Sequence, residues 1–246
     1  MSSAAARPGL NRNQIKYLAI IAMLIDHVAW GFVDPVYPVL GQAMHFIGRL
    51  TGPTMAFFVG QGYIYTHDVK KYQLRLGLCA LLSWVPFGYF EFGYIYFFHP
   101  TVPFAFNLAQ GVTYTLFLGL TAIRVWESPK LKKPVKVLLI IGLCVLSLPG
   151  DWRLMDVLGV LFVHVYRERP RAMWTAYTLT FLIPCMAFML IGGLQNNWFQ
   201  LGVLLPPLVL RFLYNGQGGS KRPVHKWFFY VFYPAHLLLL GVLRWC

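Results

Sequence analysis

Asp26 and His27 stand side by side inside an apolar run, YLAIIAMLIDHVAWGFV, and His236 stands inside another, FYPAHLLLL. In hydrocarbon an aspartate costs around 2.5–3.5 kcal/mol on insertion scales unless a partner compensates, so these positions call for a chemical reason. Adjacent positions on a helix point about 100° apart, so Asp26 and His27 serve different partners. Arg49, preceded by His45 and followed by Gly52-Pro53, lies in a third run and is the natural cation for Asp26. Glu91, Asn107, Gln110, Asp151 and Asp156 add further polar groups at middle or outer depth. Two histidines, a carboxylate and a guanidinium assemble what proton transfer and oxyanion stabilisation need, and histidine titrates near neutral pH. The competing reading of each residue taken singly is helix locking, with Asp26–Arg49 a structural salt bridge.

Other chemistries lack their signatures. His27, His236 and Asp26 show no HxxxH or ExxH spacing, so no metal is predicted. The four cysteines, Cys79, Cys144, Cys185 and Cys246, form no CxxC pair and read as small hydrophobes. Neither a GxSxG elbow nor a GxxxxGK[ST] loop occurs, which removes the serine hydrolases and the P-loop nucleotidases.

The elements that must carry these residues are set by composition. Of 246 residues, 58% are hydrophobic and only 12% charged, with a mean hydropathy of +0.57. A soluble domain needs roughly a quarter charged residues and a disordered chain needs low hydrophobicity, so the chain is predicted to live in a bilayer. A crossing takes about 20 apolar residues in a helix, because backbone groups find no water in lipid. The runs fall at roughly 15–33, 43–65, 73–97, 101–123, 135–149, 153–166, 173–192, 197–213 and 227–243. The expectation is therefore an all-α polytopic integral membrane bundle of about nine transmembrane helices, one domain over 1–246 with a polar tail at 1–14. The fifth and sixth runs are short, and Pro149-Gly150-Asp151 between them allows either two crossings or a re-entrant hairpin. The first run is expected to be a retained anchor rather than a cleaved signal.

A net charge of +13 would suggest nucleic acid on a compact polar domain. Here all but three of the 21 Lys and Arg fall in alternate loops, the exceptions being Arg49, Arg153 and Arg244. The positive-inside rule then puts the N-terminus in the cytoplasm and the C-terminus outside, and no nucleic-acid partner is predicted. Tyr89, Phe90, Phe92, Tyr94, Tyr96, Phe97 and Phe98 read as an interfacial belt at the outer boundary. On the cytoplasmic side, HDVKKYQLRL and LYNGQGGSKRPVHKW place Lys70, Lys71, Arg75, Lys221, Arg222 and Lys226 beside glycines and aromatics. That set suits either a phosphorylated ligand or anionic lipid.

In this order, IKYLAIIAMLIDHVAWGF (15–32), GRLTGPTMAFFVGQGYIYTHDVKKYQLRLGLCALLSWVPF (48–87), Asn107 with TYTLFLGL (113–120), GVLFVHVYR (159–167) and LYNGQGGSKRPVHKWFFYVFYPAHLLLL (213–240) resemble the TraX family of bacterial membrane proteins. The chain departs from that pattern at Gln61, where a Glu is expected, and in the spacing of Asp151 or Asp156 before GVL. The resemblance implies a multi-pass protein of the bacterial inner membrane that moves an acetyl group from cytosolic acetyl-CoA to an amine or hydroxyl, such as a pilin N-terminus or an envelope glycan.

On that reading CoA docks near Lys70, Lys71, Arg75, Arg211, Tyr214, Asn215 and Lys226. His27 or His236 is the general base, Asp26 orients a His or pairs with Arg49, and Arg49 or Asn107 stabilises the oxyanion. An acetyl-His relay and direct transfer stay equally open. The rival function is a proton-coupled transporter or flippase using Asp26, His27 and Arg49. A third is a scaffold for pilus or envelope assembly.

Overall fold

The computed structural model describes residues 8–93 and 108–246, and over these it is all-helical, with only two isolated β-bridges. Tyr94, Tyr96, Phe97, Phe98 and Asn107 of the sequence reading lie outside the described residues. Helix α1 (Arg12–Val28) starts at Asn11, whose side chain accepts from the Gln14 N–H while the Gln14 side chain accepts from the Asn11 N–H, a reciprocal cap. It runs on into a π-turn, Ala29–Val33. Then come α2 (Pro38–Gly48), α3 (Thr51–Tyr65) and α4 (Val69–Phe92). After the undescribed segment follow α5 (Val112–Glu127), α6 (Lys133–Leu146), α7 (Arg153–Val165) and α8 (Pro170–Ile191). An irregular passage holds the short turns α9 (Leu194–Asn197) and α10 (Leu205–Leu208), a 3-10 stretch (Trp198–Leu204) and a π-turn (Val209–Leu213). The chain closes with α11 (Pro223–Trp245).

Nine crossings were expected; three helices among the described residues are long and apolar enough for one, Arg12–Val33, Pro170–Ile191 and Pro223–Trp245. The expected second span, 43–65, breaks at Arg49-Leu50. Pro53 has no N–H to return to the Arg49 carbonyl, but the first turn of a helix tolerates proline, so the helix restarts at Thr51. The expected span 197–213 breaks up around Pro206-Pro207. Helices α6 and α7, at 14 and 13 residues, are each short of a full crossing and form a hairpin through Ser147–Trp152.

The core lies where α3, α5 and α8 meet α7, around Ala56, Phe57, Leu120, Val157, Val160, Tyr177 and Phe181. Close packing there needs small residues. A Cβ at Gly119 would stand 2.8 Å from the Val160 Cβ, and one at Gly159 would stand 2.7 Å from the Phe181 ring. On the exterior, apolar side chains are open in rows, among them Leu138, Ile141 and Val145 of α6 and Ile183 and Leu190 of α8. Such an apolar coat is compatible with a lipid surround and unlike a soluble exterior. At the start of α4, outside the apolar runs, Asp68 caps the helix by accepting from the Lys71 N–H at 2.9 Å. That hydrogen bond holds its carboxyl below the usual range.

Candidate active site

Two cavities flank opposite ends of α1 and α4. One, of about 380 Å³, is lined by Asp26 and His27 from the end of α1, Trp30 from the π-turn after it, Arg49 and Thr51, Glu91 from the end of α4, Gln110, Asp151 and Arg153. The other, of about 400 Å³, is lined by Arg12 and Lys16 from the start of α1, Tyr72, Arg75 and Cys79 from the start of α4, and Lys221, Arg222, His225 and Lys226. Met23, Thr51, Val112 and Tyr233 line both, so the cavities share a waist.

His27 and His236 meet. The Nδ1 of His27 lies 2.9 Å from the Met23 carbonyl, and the Nδ1 of His236 lies 2.9 Å from the Phe232 carbonyl. A carbonyl only accepts, so both rings are held with the proton on Nδ1. The Nε2 lone pair of His236 then faces the His27 Nδ1–H at 3.3 Å. Among the described residues His27 is left with Nε2 as a free lone pair on the ring that lines the chamber, while His236 stands behind it, stacked on Phe232 at 4.8 Å. Sequence alone left the two histidines equivalent; the structure gives them different positions.

The expected Asp26–Arg49 salt bridge does not form. Asp26 takes His45 instead: His45 Nδ1 lies 2.8 Å from Asp26 Oδ1, and its Nε2 lies 2.8 Å from Asp34 Oδ2. As the imidazolium, the ring donates to both carboxylates, and it packs against Trp30 at 4.2 Å and Phe199 at 5.3 Å. Asp26, Trp30 and Asp34 recur every four residues, which lines them along one face of α1 and its π-turn. On α2 the facing positions are Gly41 and Gly48, where any Cβ would collide with Asp34 and Asp26 respectively. Arg49 turns into an aromatic cradle, its guanidinium 5.1 Å from the Trp152 ring and 4.8 Å from Phe199, with Nε buried and unpartnered. Asp156 is also apart from the chamber, fully buried and accepting from Thr115 at 2.6 Å.

The predicted cofactor residues separate. Arg75 and Lys226 line the basic cavity. Arg211, Tyr214 and Asn215 line a different groove with Arg171 and Trp174, and Lys70 and Lys71 are exposed and line neither cavity, Lys71 reaching Asp68 at 3.4 Å. Asn215 is used in the fold: its Nδ2 donates to the Gly9 carbonyl and its Oδ1 accepts from the Gln217 N–H. Sequence reasoning missed Lys16, which lies between the Phe58 and Phe229 rings, Tyr233 at the waist, and the His45–Asp34 pair. The signal for His45 was present in its position four residues before Arg49 on one polar face. Among the described residues no three metal-ligating side chains cluster.

Fold and chambers together define an all-helical protein with helices of membrane-crossing length and two polar cavities back to back. Residues 11–244 match the profile of the TraX protein family, and the chain belongs to that family. It is 33% identical over 244 residues to a probable fimbrial assembly protein FimC, serogroup H1, of Dichelobacter nodosus, covering 92% of this chain and 93% of that protein. No solved structure matches it.

Proposed function

We propose that this protein is a membrane-embedded acetyltransferase serving fimbrial or envelope biogenesis, with acetyl-CoA as donor and an amine or hydroxyl, such as a pilin N-terminus or an envelope glycan, as acceptor. The observation that carries the reading is the shared waist between a strongly basic cavity and a chamber holding His27. The basic cavity fits the donor: Arg12, Arg75, Lys221, Arg222 and Lys226 face a polyphosphate, while Ile20, Phe58 and Leu76 wall an apolar throat suited to an aliphatic arm. When bound, acetyl-CoA supplies an activated acetyl thioester.

His27 Nε2 takes the proton of the acceptor as its nitrogen or oxygen attacks. The positive charge that develops on the ring is spread through Nδ1–H onto the Met23 carbonyl and the His236 lone pair. His236 is thus a positioning residue, holding the tautomer that leaves Nε2 free. Asp26, tied to His45, keeps a fixed negative charge in the chamber where an ammonium acceptor would arrive. The relative's role in fimbrial assembly supports a pilin-linked acceptor.

Calorimetry of acetyl-CoA with the purified, detergent-solubilised chain tests this reading. Saturable binding is expected, weakened about 10- to 100-fold by Arg75→Ala or Lys226→Ala, since a hydrogen bond to a charged group contributes ~1.5–3 kcal/mol. No binding to demonstrably folded protein would overturn the transferase and favour the transporter, which in turn predicts substrate flux without acetyl-CoA.

A further inference from the structure

The Tyr233 hydroxyl occupies an unusual place. It lines both cavities at the waist, and its oxygen accepts the Val112 backbone N–H at 3.1 Å. No described oxygen or nitrogen accepts its own proton. Of the other residues at the waist, Met23 and Val112 offer no side-chain donor, and the Thr51 hydroxyl is committed to the Ala19 carbonyl at 2.9 Å. Among the described residues, Tyr233 is therefore the side-chain O–H at the junction left free to donate.

One neighbour, the Val112 backbone N–H, polarises that donor. Val112 opens α5, a 16-residue helix, so the N–H on the tyrosine oxygen belongs to the positive end of the helix. A hydrogen bond accepted by a hydroxyl oxygen polarises its O–H and makes it a better donor. Gly111 leaves the room for this contact, since a Cβ there would collide with the Tyr233 oxygen. The next residue, Thr113, carries a buried hydroxyl without a partner and lines the basic cavity. Three residues along α11 from Tyr233 is His236, whose ring centre lies 5.6 Å away and which abuts His27.

We propose that Tyr233 is the catalytic oxyanion donor of the acetyl transfer, at the boundary where the thioester from the basic cavity meets the acceptor from the chamber. The inference rests on the transferase reading above, and it replaces Arg49 in that role, whose guanidinium is engaged with Trp152 and Phe199. In the step, the acceptor nitrogen or oxygen forms a bond to the acetyl carbonyl carbon and yields its proton to His27 Nε2. The carbonyl oxygen, gaining negative charge, accepts the hydrogen bond from Tyr233. The charge returns as the carbon–sulfur bond breaks and its electron pair leaves on the thiolate, which then takes the proton from His27.

Inverted membrane vesicles carrying the full chain, supplied with radiolabelled acetyl-CoA, provide the test, with incorporation into protein and glycan counted separately. Tyr233→Phe keeps the ring and removes the donor; label incorporation is expected to fall about 100- to 1000-fold, the scale of one lost oxyanion donor, while acetyl-CoA affinity measured calorimetrically changes less than about threefold. Retained incorporation in Tyr233→Phe would overturn the assignment while leaving the transferase standing. Should that variant misfold, 3-fluorotyrosine and 3,5-difluorotyrosine placed at 233 decide. A rate that follows phenol acidity supports donation, and a flat response overturns it. If the unaltered chain neither binds acetyl-CoA nor incorporates label, the transferase reading itself fails and this assignment falls with it.

Discussion

His27 and His236 are separated by 209 positions and reach each other through Nδ1 and Nε2 at 3.3 Å. Both were legible as misplaced polar groups in apolar runs, but their order of action depends on which carbonyl each Nδ1 faces, and no sequence pattern carries that. His27→Ala is expected to lower single-turnover acetyl transfer about 100- to 10,000-fold, the usual range for a general base. His236→Ala should cost markedly less, because it removes a neighbour of the base and not the base; equal losses in the two variants would contradict the assignment. Of the two roles open to Asp26, orienting a histidine or pairing with Arg49, the second stands out in the sequence for a simple reason. Charge matching picks out Arg49 because arginine is always a cation, whereas His45 becomes one only when two carboxylates close on it. His45→Ala leaves Asp26 and Asp34 facing a common gap, and melting in detergent should show a loss of about 3 kcal/mol, the low end for a broken buried pair since both aspartates are partly exposed. A variant melting like the parent would show the pair to be idle.

At the scale of elements, hydropathy located apolar runs well and interruptions poorly. It found α1 with its π-turn, α8 and α11 within a few residues, because each continues as one helix, α8 and α11 despite an internal proline at Pro184 and Pro234. It merged α2 with α3, since Gly52-Pro53 reads equally as a bend inside a span or as a fresh start, and only packing of the Trp152 ring against Gly52 settles the geometry. It likewise took 197–213 for one helix, although Pro206-Pro207 removes two consecutive N–H donors. Glycine substitutions report on which helices truly touch. Gly119→Ala forces a methyl against Val160 and should destabilise by about 1–3 kcal/mol, as overpacking does. Gly142→Ala on α6 meets nothing within 4 Å and should be neutral or stabilising by up to about 1 kcal/mol through helix propensity. Thermal unfolding of the two side by side checks the contrast, and a reversed order would refute the placement of α5 on α7.

For the whole molecule, the distribution of cations predicts an orientation that maps onto the two cavities. The six cations lining the basic cavity, Arg12, Lys16, Arg75, Lys221, Arg222 and Lys226, belong to the cytoplasmic set, whereas Arg49 and Arg153 line the chamber at the other end. Cys246 is exposed beside Tyr89 at that other end. In intact spheroplasts an impermeant maleimide should label Cys246 and spare a cysteine introduced at Lys70; the opposite pattern would invert the molecule and place the basic cavity outside. Charge yields this orientation as a prediction, because insertion responds to Lys and Arg near span ends. The waist was not readable, because its residues come from four helices whose approach no single run records.

The loop after Arg211 is sewn to the start of the chain by backbone bonds: Leu10 N–H to the Leu213 carbonyl, Asn215 N–H to the Leu10 carbonyl, and Arg12 N–H to the Gln217 carbonyl. These contacts join residues about two hundred positions apart, so they cannot form until the chain has been made as far as Gln217. The cations of α1 therefore wait, without Lys221, Arg222 and Lys226, while every helix between them is made, and His27 waits equally for His236. Both cavities are therefore late products of folding: the ring of cations and the paired histidines are complete only once α11 packs against α1 and α4.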